Sequence, residues 1–171
     1  INLAKKALQM GINQHPFHVD LLLLKSELLI FDDSHKEASQ LLDTIEEMEP
    51  SNQEVYIQKA AISSKNKKHH AAISFLFKGL EQADDPQEIW SLLAMEYMVL
   101  ENYTEAKNYF RLCIEEDPDD YQILYNLLFC LDYLKENREA IEVLNIVLET
   151  NPYNEIAWLE SGKQYLILGQ K

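Results

Sequence analysis

Five histidines and two cysteines are the side chains here best suited to metal or nucleophilic chemistry, and their spacing argues against both. His69 and His70 are adjacent, so on a helix they diverge by about 100° and do not converge on one ion. His15 and His18 flank Pro16, and no HExxH, CxxC, GxSxG or glycine-rich phosphate loop occurs. Cys113 and Cys130 stand among apolar residues, where free cysteine acts as a small hydrophobe and needs no disulfide; a reducing compartment suits them. The carboxylates are numerous, 29 Asp and Glu against 15 Lys and Arg, for a formal net charge of −14. They gather at segments such as Glu115-Glu116-Asp117 and Asp119-Asp120, where helix N-capping and dipole pairing explain them better than a metal does. No enzyme, metal or cofactor is expected. Nor is nucleic acid, whose phosphates need compensating Lys and Arg; basic or neutral partners fit the charge. One basic island, Lys65, Lys67, Lys68, His69 and His70, reads as a solvated turn.

The remaining chemistry is recognition, and the elements that would position it announce themselves through proline. Pro16, Pro50, Pro86, Pro118 and Pro152 are separated by 34, 36, 32 and 34 residues, a period of stacked helical hairpins. Residue types share the period. Trp90, Leu93, Ala94 and Tyr97 fall on one helical face, and Ala106, Phe110 and Cys113 fall on a second. Asn102, Tyr103 and Thr104 lie between them at a turn. Glycine numbers only 4 of 171 residues, and no alternating β-branched runs occur, so strands are not expected. No stretch approaches the roughly 18 apolar residues of a membrane helix.

The stretch WSLLAMEYMVLENYTEAKNYFRLCIEEDP resembles a tetratricopeptide repeat, with Trp90, Leu93, Ala94, Tyr97, Ala106, Phe110, Cys113 and Pro118 in the eight family places. The resemblance implies an all-α fold, a right-handed α-solenoid superhelix of antiparallel helix-turn-helix units. It divides residues 1–171 into a second helix over 1–18, full repeats over 19–52, 53–86, 87–120 and 121–154, and a first helix over 155–171. Other units depart from the pattern in definite ways. Lys25 and Lys59 stand where Leu is usual, which predicts a rotated first helix in those two repeats. Pro86 comes two residues late, which predicts a longer connection there. Leu128 is larger than the usual Gly or Ala, which predicts a more open hairpin. Both ends break in mid-repeat, so a longer array cut at both ends is the expectation, with a cytoplasmic setting.

The resemblance also implies that first helices line a concave face that holds peptides. Its ligand-facing places carry Met95, Met98, Tyr125, Phe129, Asp132 and Tyr133, among others. The Lys, Asn and Arg set of the subfamily that clamps a C-terminal carboxylate is nearly absent from them. The expected partner site is Met95, Met98, Tyr125, Phe129 and Tyr133, because Met adapts to irregular surfaces and aromatics anchor interfaces. Its partner is an apolar peptide segment, with a bias toward a basic one. The alternative is a structural spacer or self-association array within a larger protein. Trp158, Leu159 and Leu166 on a terminal helix that is apolar nearly all round are its candidate homodimer contacts.

Overall fold

In the computed structural model, residues 2–169 are described, and among them every regular element is a helix. The chain divides into two compact units, Ile1–Asp84 and Asp85–Lys171. The first holds α1 (Asn2–Gln14), α2 (Val19–Phe31), α3 (His35–Met48), α4 (Gln53–Lys65) and α5 (His69–Leu80). The second holds α6 (Gln87–Val99), α7 (Tyr103–Glu116), α8 (Tyr121–Leu134), α9 (Asn137–Thr150) and α10 (Glu155–Ile167). Within each unit successive helices pack as hairpins, so the fold is the all-α, helix-turn-helix architecture that the repeat pattern implies.

Each hairpin turn is built in the same way. Asp33, Lys67, Glu101 and Lys135 have φ between 58° and 63°, and Gly169 follows α10 at 68°. The residues lie 34 apart. In the four turns the left-handed residue lets the next amide reach back five residues: Ser34 to Leu29, Lys68 to Ser63, Asn102 to Tyr97 and Glu136 to Leu131, at 2.8 or 2.9 Å. Such a bond satisfies a carbonyl that the end of the helix would otherwise leave free.

Junctions between hairpins use a different device. The second helix ends at Glu49, Asp117 or Asn151 in extended geometry, with proline next, which cannot continue a helix. The following helix is capped by Asn52, Asp120 or Asn154. Their side-chain oxygens accept from the backbone N–H of Glu54, of Gln122 and Ile123, and of Ala157. The acidic run at 119–120 is therefore capping chemistry in part, as its position suggests. The junction before α6 departs from the rule: it spans 81–86, and Pro86 caps the helix without a side-chain bond. That is the longer connection the late proline predicts.

Packing follows the small residues. Ala38, Ala72, Ala106 and Ala140 are fully buried at one place in the period, where a larger side chain would push neighbouring helices apart. The core of the first unit gathers Leu22, Leu42, Ile45, Val55 and Ile62, and that of the second Phe110, Leu124, Leu127, Leu131 and Leu144. Leu128 is buried, and α8 and α9 approach each other less closely than the partners of the other full hairpins do. Lys59 does occupy a packing place, but its charge is neutralised rather than expelled: Nζ lies 2.6 Å from Asp43 and 2.5 Å from Glu46 on α3.

Candidate functional site

The first helices of the second unit, α6, α8 and α10, carry the candidate recognition surface. α8 has Leu124, Leu127 and Leu131 on the buried side, so the helical period turns Tyr125, Phe129 and Tyr133 outward at i, i+4 and i+8. Tyr125 is 47% and Phe129 52% exposed, high for rings of this size. They border a groove of about 430 Å³ that also takes in Met98, Asn126, Leu128, Asp132 and Glu160. Of the five expected residues, Met98, Tyr125 and Phe129 therefore line one cavity. Met98 is half-buried and packs against the core, giving the groove an apolar floor.

The other two sit differently. Tyr133 lies against Tyr103, ring centroids 4.1 Å apart and tilted by 39°, and Phe129 meets the same ring edge-on at 5.8 Å. Tyr103 thus braces the aromatic row from behind. Burial pushes the Tyr103 phenol above its ordinary pKa, helped by the nearby Glu101 carboxylate, so the ring stays neutral. Met95 is exposed beside Asn126, whose Nδ2 lies 3.6 Å from its sulfur.

Polar residues that the sequence reasoning did not select shape the groove as much as the aromatics do. Asp132 Oδ1 accepts from Gln164 Nε2 at 2.9 Å, and Gln164 Oε1 accepts from Asn137 Nδ2 at 2.8 Å, so buried Gln164 ties α8 and α9 to α10. Glu160 accepts from Lys163 Nζ at 2.5 Å, and that bond holds the Lys163 ammonium above its ordinary pKa. Asp132 also helps to raise Lys163, so Asp132, Glu160 and Lys163 together leave one net negative charge at the groove. Asp132 stands in the ligand-facing series, and Glu160 falls 34 residues after Asn126. A periodic reading of that place would have found it.

On α10, Trp158, Leu159 and Leu166 are exposed, Leu166 to 74%. Trp158 Nε1 donates to the carbonyl of Pro152 at 2.9 Å, as the Tyr56 hydroxyl does to that of Pro50. The indole is thus fixed to its junction with one face open. Among the described residues no group of three or more His, Cys, Asp or Glu is placed to hold a metal. No helix among them is long and apolar enough to cross a membrane. Cys113 and Cys130 are buried, which pushes both thiols up to about 11 and keeps them out of nucleophilic chemistry at neutral pH. In the basic island, Lys65 donates to the carbonyl of Ile30 at 3.0 Å, while Lys67 and Lys68 face solvent in the turn.

Residues 87–120, the span of α6 and α7, match the family model described as tetratricopeptide repeat. No curated protein matches the chain in sequence. Solved structures are similar in fold. YrrB, a tetratricopeptide repeat protein with an unusual peptide-binding site, superposes with a TM-score of 0.72 at 18% identity, over 96% of this chain and 85% of that one. A chain of the Naa15/Naa10 complex bound to HypK-THB gives 0.70 at 16% identity, over 89% of this chain but 23% of that one. MamA gives 0.65 at 16% identity, over 85% of each. At these identities the likeness is one of fold.

Proposed function

We propose that this tetratricopeptide-repeat chain is a non-enzymatic protein–protein interaction module that holds a peptide segment of a partner in the groove between α6, α8 and α10. The observation that carries the reading is the pair Tyr125 and Phe129, half-exposed on a well-packed helix at the mouth of an apolar-floored groove. Large rings held rigid and left wet are costly surface unless something covers them. They supply contact area at low conformational cost, the usual character of an interface anchor. The net negative charge left by Asp132, Glu160 and Lys163 at the edge favours a segment with an apolar side chain followed by Lys or Arg, in keeping with the −14 charge of the chain.

The test is selection of a random-peptide display library on the wild-type chain, followed by binding of the enriched peptides to Tyr125→Ala/Phe129→Ala. The expected result is enrichment of apolar-basic sequences whose affinity falls at least about tenfold in the double variant. Because both rings are half-exposed, far-UV circular dichroism should be unchanged. Enriched peptides that bind the variant as tightly as the wild type would overturn the reading.

A second reading, self-association, is favoured by the open face of Trp158, Leu159 and Leu166. It expects a concentration-dependent dimer in light scattering that Leu166→Glu abolishes. A chain that stays monomeric throughout the concentration series removes it.

A further inference from the structure

Lys25 and Lys59 occupy the same place in the 34-residue period, one on α2 and one on α4. Lys59 is only 7% exposed, and its ammonium is held by Asp43 and Glu46 of the preceding helix. The residues 34 places before Asp43 and Glu46 are Gln9 and Ile12, neither of which carries a charge. Lys25 is therefore half-buried without the carboxylates that its counterpart has, and it forms no ion pair among the described residues. The counter-charge that Lys59 receives from two carboxylates thus has no equivalent at Lys25, whose ammonium is left for a carboxylate from outside the chain.

Beside Lys25, between α1 and α2, lies a cleft of about 170 Å³. Its walls are Leu8, Ile12, Leu28 and Leu29. At its rim Lys5 pairs with Asp32, so these two charges cancel and Lys25 remains as the surplus cation. A cavity on the order of 150 Å³ with apolar walls takes a molecule the size of benzene, whereas drug-sized ligands need about 300–1,000 Å³. An apolar pocket of small volume with one free ammonium at its edge suits an amphiphile of matching size.

We propose that the cleft between α1 and α2 binds a small apolar monocarboxylate, with the carboxylate on Lys25 Nζ and the hydrocarbon among Leu8, Ile12, Leu28 and Leu29. The carboxylate supplies the charge-assisted bond that Asp43 and Glu46 supply to Lys59, and the tail removes exposed apolar surface from water. This site belongs to the first unit and is independent of the peptide groove.

The test is titration of the full chain with hexanoate, followed by backbone NMR shifts, with hexanol and hexylammonium as controls. Saturable shifts centred on Leu8, Lys25 and Leu29 are expected with hexanoate, and at least tenfold weaker binding with either control. Lys25→Met keeps the aliphatic stem and should weaken hexanoate at least tenfold. Gln9→Asp, which gives Lys25 an internal carboxylate at the place of Asp43, should compete and weaken it likewise. Absence of saturable shifts at these residues, equal binding of hexanol, or unchanged affinity in Lys25→Met would each overturn the proposal.

Discussion

Phe110→Ala should lower the stability of the second unit by about 3–5 kcal/mol, the largest effect expected of a single side chain here. Phe110 is fully buried on α7, within the cluster that joins α7 to α8 and α9 through Leu124, Leu127 and Leu144. Removing the ring deletes its transfer free energy and leaves a cavity that helices pinned by Ala106 and Ala140 cannot readily close. The measurement is built into the chain. Both tryptophans, Trp90 and Trp158, belong to the second unit, so indole fluorescence during urea unfolding follows that unit. The midpoint should fall sharply with an unchanged slope. Leu112→Ala, on the exposed side of the same helix, should move it by less than about 1 kcal/mol. If the two variants melt alike, the packing described for α7 is wrong.

Asp43→Asn/Glu46→Gln should cost the first unit about 2 kcal/mol, while Lys59→Met should be close to neutral. The asymmetry follows from burial. Burial alone pulls the Lys59 pKa down, but the hydrogen bonds it donates to Asp43 and Glu46 outweigh it, so the ammonium is held above its ordinary value. Stranding that charge without partners typically costs about 3–5 kcal/mol at a fully buried site; the exposure of Asp43 reduces the figure here. Replacing the lysine by an apolar side chain of similar length removes the need for partners. The pH dependence fixes the sign. The Lys59 bond holds Glu46 below the ordinary value of 4.5, so its contribution is complete above that value and fades as pH falls through the depressed one. Lys59 contributes fully below its ordinary 10.5 and loses its share only as pH rises through the raised value. Thermal melts at neutral pH should therefore separate the carboxylate variant from wild type, and melts well below pH 4.5 should bring them together. A gap that persists in acid would mean the carboxylates act through packing rather than charge.

The helices were legible because their signals are local. Pro50, Pro118 and Pro152 follow helix ends, Asp120 caps a start, and the late Pro86 marks the longer junction, all within a few residues of the feature they control. The outward row Tyr125, Phe129 and Tyr133 was legible for the same reason, since helical spacing alone puts i, i+4 and i+8 on one side. What escaped depends on residues far apart in sequence. Tyr133 rests on Tyr103, thirty residues earlier, and no single-helix pattern announces that contact. Gln164 is polar yet buried, because Asn137 and Asp132 satisfy it from two other helices. Lys59 stands where Leu is usual, and at a buried packing place its charge would be costly without partners. The carboxylates that remove the cost lie 13 and 16 residues away, on the neighbouring helix.

The left-handed turn residues at 33, 67, 101, 135 and 169 form a series in which only the last is glycine. For the other side chains this backbone conformation costs on the order of 1 kcal/mol each. Asp33, Lys67, Glu101 and Lys135 are all exposed, so the cost is carried where neither core nor groove depends on the side chain. The array thus keeps a reserve of thermal resistance outside its working surfaces. A lineage forced to tolerate damaging changes in the groove could recover stability by drifting to glycine at these four turns, without altering what the groove recognises.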